Sequence, residues 1–445
     1  MQKRELKAKE IFVVMKKICV LGLGYIGLPT ASLFATHGLQ VIGVDVDAKI
    51  VQILNGGEIH IEEVGLQSLF SQALASNNLV IKSAPDFADV FIIAVPTPIY
   101  PDKTADMRAV IKATESVVPY LQSGNLVILE STSPAGTTND LLKPILEGSG
   151  LIAGRDFMLA YSPERVLPGH ILKEIVENTR VIGGIDRTSA EAGRNLYATF
   201  VKGEIILTNS TTAEMVKLME NTFRDVNIAL ANEFALIAEK QKVDVWEAID
   251  IANRHPRVKI LQPGPGVGGH CIAVDPWFLV EVAPDQARLI RQARLINDGM
   301  PEYVVKMIQR QLTNKGIVAV LGLTFKADVD DTRESPAVDV TNRLIANGVK
   351  VRAFDPHVHD LPALNNYLTS SMDEAIQGAE IVVLLVDHTE FKLLTPERLT
   401  QMSGRIIVDT RNCLDTSAWQ DSAFNVIRIG APSLFYHEKT SPAYQ

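Results

Sequence analysis

The sequence predicts an α/β protein with two doubly wound, parallel-sheet domains joined by a helical central region. Two observations carry this. Short apolar runs alternate with amphipathic helical segments early in the chain and again late in it, the rhythm of right-handed βαβ units. Between them, from Thr211 to about Lys240, there is almost no helix breaker and no strand signal, which reads as one long helix. A chain of 445 residues has room for two or three domains. The divisions that follow are 15–208, 209–305 and 306–445.

In order, Ile18–Leu23, Val41–Val46, Val90–Val95 and Leu126–Glu130 read as buried strands, with another strand-like run at Val181–Gly184. Ser210–Thr212 supplies N-cap residue types for the long helix. Helical pattern continues at Val245–Asn253 and gives way to a loop rich in proline and glycine, Gln262–Gly269. Ile317–Gly322, Lys350–Phe354, Ile381–Val386 and Ile406–Asp409 read as strands of the second domain. Residues 1–14 carry several charges and no signal-peptide core, so they read as an extension, with Met15 an alternative start.

Composition excludes several classes. Apolar residues make up 47% and charged residues 21%, which is globular, and no apolar run is long enough to span a bilayer. A net charge of −9 argues against a nucleic-acid binder, since phosphate neutralisation needs a basic surface. A nucleotide in a locally basic pocket remains compatible with it. Cys19, Cys271 and Cys413 lie far apart with no Cys-x-x-Cys pair, which disfavours a zinc site or disulfide framework and fits a reducing, cytoplasmic setting. No metal is expected.

The first strand runs into Gly22-Leu23-Gly24-Tyr25-Ile26-Gly27, and Asp45 follows about twenty residues on, at the end of the next strand. In that context the motif reads as the phosphate-binding turn of a Rossmann-like domain. The glycines bring backbone N–H groups to a pyrophosphate at a helix N-terminus. Asp45 suits the ribose hydroxyls and would repel a 2′-phosphate, so NAD is favoured over NADP. The competing reading is glycine-mediated packing with no ligand. Val95-Pro96-Thr97-Pro98 and Glu130-Ser131-Thr132-Ser133-Pro134-Ala135-Gly136-Thr137 also fall at strand ends, where such sheets bind ligands. Each is equally compatible with turn chemistry.

Gly264-Pro265-Gly266-Val267-Gly268-Gly269-His270-Cys271 is the most informative stretch. A cysteine between a glycine loop and a helix-like Asp275–Val280 is placed for activation toward thiolate. Cys19, inside a strand, and Cys413 read as structural. His270 is given a packing or loop role rather than that of a base, because adjacent side chains diverge. On the long helix, Glu214, Lys217, Asn221 and Arg224 recur at steps of three and four, among the apolar residues Met215, Leu218, Met219, Phe223 and Val226. A solvated face and a wet pocket explain this stripe equally well. A dinucleotide together with an activated cysteine points to oxidation of an alcohol past the aldehyde to an acid, through a thioester.

These motifs resemble those of the UDP-glucose/GDP-mannose dehydrogenase family. The resemblance runs from about Lys17 into the C-terminal region. It includes the glycine turn, Val95–Pro98, Glu130–Thr132, Tyr161-Ser162-Pro163-Glu164, Lys217 with Asn221, Gly268–Cys271, and Phe325-Lys326 with Thr332-Arg333-Glu334-Ser335. It implies that Cys271 is the thioester nucleophile, that Lys217 and Asp275 handle protons, the oxyanion or the hydrolytic water, and that Asn221 binds the reacting sugar. Thr132 and Glu164 would lie near the nicotinamide and the reacting carbon. Gly22, Gly24, Tyr25, Ile26, Gly27, Asp45, Thr97, Thr132 and Arg333 would hold the cofactor. Glu164, Arg165, Lys217, Asn221, Arg257, Gly268 and Lys326 would hold the substrate, with Arg254 an alternative to Arg257. It also implies a UDP-binding C-terminal domain and a homodimer built on the central helix.

Two departures bear on the sugar. Val274 stands where members acting on UDP-glucose have lysine, and Pro168 where they have a second glutamate. With Asn253–Val258, Pro263–Val267 and Ala273–Phe278, they look most like the branch acting on UDP-N-acetylhexosamines. Within it the resemblance favours UDP-N-acetyl-D-mannosamine over UDP-N-acetylglucosamine. Outside the family, a two-electron β-hydroxyacid dehydrogenase and a non-enzymatic dinucleotide sensor are the rival readings.

Overall fold

The strands of the first sheet are short and apolar because most are covered on both faces, as parallel strands must be. The computed structural model describes residues 16–269, 271–313 and 316–431. The readings of residues 1–14, Met15 and His270 lie outside these. The chain forms two compact units, Met1–Glu220 with Trp277–Gln286, and Asn221–Pro276 with Ala287–Gln445.

The first unit holds β1 (Lys17–Leu21), β2 (Gln40–Val44), β3 (Leu79–Lys82), β4 (Val90–Ile93), β5 (Leu126–Leu129), β6 (Met158–Tyr161), β7 (Arg180–Gly184) and β8 (Ile205–Asn209). They form one sheet in the order β3-β2-β1-β4-β5-β6-β7-β8. Every pairing is parallel except β6 with β7. The strand order reverses between β1 and β4, which is where an open α/β sheet binds its ligand. Ile18, Val20 and Ile92 point to one core layer, and Cys19, Leu21 and Phe91 to the other.

The second unit holds β9 (Ile317–Leu321), β10 (Lys350–Phe354), β11 (Ile381–Leu384), β12 (Ile406–Asp409) and β13 (Asn425–Arg428). These form an all-parallel sheet in the order β10-β9-β11-β12-β13, with its switch point between β9 and β11. No described helix is long and apolar enough to cross a membrane.

The α/β architecture with a second parallel sheet and a helical central region is as the sequence predicts. Several strands end one or two residues before the apolar run does. Val46, for instance, lies past the end of β2 and is 94% exposed. Apolar runs overshoot because the last residues leave the ladder to enter the turns that follow the strands. Strands β3, β6, β8 and β13 have four or five residues and carry no separate signal in the sequence. The helix Arg288–Gln309 contains Pro301, a residue that argues against a continuous helix when read alone.

The long helix spans Ser210–Gln241, and its amphipathicity is inverted. Glu214, Lys217, Asn221, Asp225 and Asn232 are buried, whereas Met215, Met219, Phe223, Leu230, Phe234 and Ile237 are exposed. Arg224 does not belong to the inward stripe: it is exposed, and Asp225 takes its place. At 100° per residue, position 225 returns to the azimuth of 214 and 221, while 224 falls at the edge of the stripe, just beyond Lys217.

Candidate active site

In the first unit the glycine turn closes over the switch point. Gly22 has φ +90° and donates to the carbonyl of Val44 at 2.8 Å. A methyl group on Gly27 would meet the Gly22 carbonyl oxygen at 1.8 Å, whereas nothing lies within 4 Å of the same position on Gly24. Two glycines therefore make the turn and its packing, and the third leaves backbone open for a pyrophosphate. Asp45 accepts from Leu23 N at 3.0 Å and from Asp47 N at 3.0 Å, so it braces the turn from the end of β2. These residues fit a dinucleotide.

The neighbouring loops are tied to one another. Thr97 donates through its hydroxyl to the carbonyl of Thr132 at 2.7 Å. The Ser131 hydroxyl accepts from Val95 N at 2.9 Å and donates to Val95 O at 2.7 Å. Glu214 accepts from Gly136 N, Thr138 N and the Thr138 hydroxyl at 2.5, 2.8 and 2.6 Å, and pins the loop after β5 to the long helix. Burial pushes its carboxyl up. The loop after β6 is held by Glu63, which accepts from Gly169 N and Ile171 N at 2.8 and 2.9 Å. Glu164 on that loop is paired with Arg180. Arg165 bonds to Glu220 at 2.5 Å and also to the Thr179 carbonyl. These partners give Arg165 a structural anchor beside the substrate role expected of it. Lys217 is 8% exposed.

In the second unit, Cys271 is exposed, unlike Cys19, whose thiol is fully buried and pushed up to about 12 by that burial. Burial and Asp409 raise the Cys413 thiol well above its ordinary value. The Cys271 carbonyl accepts from Val274 N at 3.1 Å and Asp275 N at 2.8 Å, a tight turn that leads into the helix Asp275–Val282. Asp275 in turn accepts from the Asn221 amide at 2.5 Å. The Cys271 backbone, Asp275 and Asn221 thus form one connected group.

Close backbone approach explains the glycines before the cysteine. A methyl group on Gly268 would meet Glu334 O at 2.5 Å and Pro336 at 2.6 Å, and one on Gly269 would meet the Phe325 ring at 2.8 Å. Gly269 N donates to the Arg333 carbonyl at 3.2 Å. The segments containing Lys326 and Arg333 therefore serve as the seat of the cysteine loop. Asn232 accepts from Gly264 N at 2.9 Å and donates to Asn297 at 2.9 Å, and Asn297 donates to Asp225 at 2.8 Å. A small cavity at the ends of β9, β11 and β12 is lined by Gly266, Thr324, Phe325, Asp387 and Arg411. Arg257 lies on an exposed stretch outside this group.

Sequence reasoning missed Glu63, Arg180, Asp225, Asn232 and Arg411 as members of these groups, and gave Glu130, quoted within the strand-end motif, no role. Of the missed residues only Asp225, at i+4 from Asn221, had a local signal.

Three family models match the chain, and they define its class. They describe the NAD-binding domain (residues 16–201), the central domain (residues 211–299) and the UDP-binding domain (residues 319–416) of the UDP-glucose/GDP-mannose dehydrogenase family. The chain belongs to this family, as its motifs suggest, and its cofactor is NAD. Among similar proteins is a UDP-N-acetyl-D-mannosamine dehydrogenase of Methanocaldococcus jannaschii, 50% identical over 423 residues, covering 93% of this chain and 96% of that protein. A solved UDP-D-ManNAc dehydrogenase from Pyrococcus horikoshii is 43% identical, with a TM-score of 0.88 over 93% of this chain and 99% of its own. A UDP-N-acetyl-mannosamine dehydrogenase from Staphylococcus aureus is 45% identical, with a TM-score of 0.85 over 93% and 98% of the two chains.

Proposed function

We propose that the chain oxidises UDP-N-acetyl-D-mannosamine at C6 to UDP-N-acetyl-D-mannosaminuronate, a four-electron reaction that passes through a thioester on Cys271. The observation that carries this is the exposed Cys271 at the head of a turn closed by the N–H groups of Val274 and Asp275, with Asn221 on the Asp275 carboxylate, in a chain of an NAD-dependent nucleotide-sugar dehydrogenase family. NAD supplies the two-electron acceptor, used twice.

The Gly22–Gly27 turn and Asp45 hold the cofactor, with Tyr25, Ile26, Thr97, Thr132 and Arg333 as further cofactor residues. The Cys271 thiolate adds to the C6 aldehyde, and the resulting thiohemiacetal is oxidised to the thioester, which water cleaves to release the acid and the thiol. Lys217 and Asp275 hold or move protons at the C6 oxygen and the attacking water, and Asn221 orients both Asp275 and the sugar. Glu164 and Thr132 act at the reacting carbon, while Arg165, Arg257, Gly268 and Lys326 bind substrate. The cavity beside Arg411 suits the UDP moiety because it lies at the switch point of the second sheet.

The division into a cofactor part (15–208), a central part (209–305) and a UDP part (306–445) belongs to the same reading. So does a homodimer. An exposed apolar stripe from Met215 through Phe223 to Ile237 would cost solvation in a monomer and is covered when two long helices pair. Cysteine usage supports a cytoplasmic location.

The test is kcat/KM for UDP-N-acetyl-D-mannosamine, UDP-N-acetylglucosamine and UDP-glucose, with NADH counted against acid formed. The first substrate should lead, with two NADH per acid and no free aldehyde. A lead for UDP-N-acetylglucosamine would overturn the epimer. A lead for UDP-glucose would also overturn the reading of Val274 and Pro168, and one NADH per product would overturn the thioester.

A further inference from the structure

Behind Glu164 lies a buried charged cluster that the reaction above leaves without a role. Its geometry follows from the sheet. β7 runs antiparallel to β6, with Ala160 opposite Gly184 and Tyr161 opposite Gly183. Continued past the end of β6, that register brings residue 180 alongside residue 164. Arg180, 4% exposed, takes that place. It donates to the Ser162 hydroxyl at 2.9 Å, to Glu130 at 3.3 Å and to Glu164. Its guanidinium lies 4.1 Å from the centroid of the Tyr197 ring, and the Tyr197 hydroxyl donates to the same Glu130 oxygen that Arg180 reaches. The second Glu130 oxygen is buried without a hydrogen-bond partner.

Two carboxylates therefore share one cation in a dry place. A buried guanidinium is stable only when its donors are matched, and a planar fork whose Nη1 is held by Ser162 and Glu130 against an aromatic face has the direction of its Nη2 fixed. Nη2 meets Glu164. Glu130 also immediately precedes Ser131 and Thr132, so the same cluster ties together the two loops that carry Thr132 and Glu164.

We propose that Arg180, Glu130 and Tyr197 are positioning residues for the oxidation: they fix the direction of the Glu164 carboxylate, and Glu130 competes for Arg180 so that Glu164 is not fully neutralised by it. The inference rests on the reading of Glu164 as acting at the reacting carbon. Burial pushes the Glu130 carboxyl up to about 7, consistent with a carboxylate under-served by its partners.

The experiment is a double-mutant cycle of Glu130→Gln and Glu164→Gln in the full-length enzyme, with Tyr197→Phe measured alongside. Measured at about pH 8, above the raised Glu130 pKa, Glu130→Gln keeps the shape and removes the competing charge. It should lower kcat about tenfold while leaving the KM for the nucleotide sugar and the Kd for NAD within about twofold of wild type. Tyr197→Phe, which keeps the ring against Arg180, should show the same pattern more weakly. In the Glu164→Gln background, Glu130→Gln should have no further effect, because residues acting through one group are not additive.

A folded Glu130→Gln enzyme with wild-type kcat overturns the proposal, as does a full additional loss in the Glu164→Gln background. If Glu130→Gln gives no cooperative melt, Tyr197→Phe replaces it in the cycle and the same outcomes decide. If Glu164→Gln alone keeps the wild-type rate, the role of Glu164 itself has failed and the inference falls with it. Failure of the positioning alone looks different: Glu164→Gln is impaired and the other variants are not.

Discussion

Replacing Glu214 tests whether the inverted long helix organises the first unit. Glu214 is fully buried and accepts from two peptide N–H groups and one hydroxyl. In Glu214→Ala the N–H groups of Gly136 and Thr138 lose their acceptor, the first in a part-buried place and the second in a buried one. Each such orphaned donor costs about 1–3 kcal/mol, while the Thr138 hydroxyl is free to turn elsewhere. Against this stands relief of a carboxylate that burial already penalises, as its raised pKa shows. The net loss is about 2–4 kcal/mol. Glu214→Gln is milder. Its amide oxygen serves both Thr138 groups, and its NH2 meets the Gly136 N–H donor to donor, a loss of about 1–2 kcal/mol. For a unit of this size a kilocalorie moves the melting point by about 2–4 °C. Calorimetry of the full chain at pH 7 should therefore show the first unit's transition about 5–15 °C lower in Glu214→Ala, with Glu214→Gln between it and wild type. NAD affinity should fall in parallel, because Thr132 lies in the loop that Glu214 holds. Melting within about 1 °C of wild type for both variants would refute the reasoning, since it would mean the three hydrogen bonds are replaceable.

Three further outcomes follow from the same geometry. Cys271→Ala should abolish acid formation while Cys19→Ala leaves turnover largely intact, because only the first thiol is exposed; end-point NADH counts with each variant check this. Asp45→Ala should narrow the preference for NAD over NADP by removing the charge that repels a 2′-phosphate, and should weaken both by freeing the glycine turn it braces; kcat/KM for each cofactor measures the two effects separately. The Glu130 carboxyl, raised from 4.5 to about 7, holds its proton in the folded state over a range where the unfolded chain has lost it. Its contribution to stability is complete below pH 4.5 and is lost as the pH rises through about 7. The melting point of the first unit should fall across that window, and Glu130→Gln should flatten the slope. An unchanged slope in the variant would assign the pH dependence to other groups.

Much of the molecule is legible in the sequence alone. Gly22, Gly24, Gly27 and Asp45 form a local pattern, because a phosphate-binding turn is built from consecutive backbone and one residue at the next strand end. The glycine loop before Cys271 is legible for the same reason. The long helix announces itself by the absence of breakers, and the strands by runs of β-branched residues. Which face of that helix turns inward is not local. The stripe of Glu214, Lys217 and Asn221 reads equally as solvated or enclosed, and an apolar face would ordinarily be taken as the buried one. Packing settles it in the unusual sense: Glu214 and Asn221 are buried with partners on other elements, Glu214 on the Gly136–Thr138 loop and Asn221 on Asp275. Arg180 was invisible for a related reason. Its pairing with Glu164 comes from the antiparallel register of β6 and β7, and its pairing with Glu130 from a strand fifty residues earlier. The sequence by itself determined the glycine turn, the glycine loop before Cys271 and the alternation of strands and helices, since these depend on neighbours along the chain. Tertiary structure alone decided which polar groups are enclosed and what holds them, since a buried charge is tolerated only where distant segments bring it a partner.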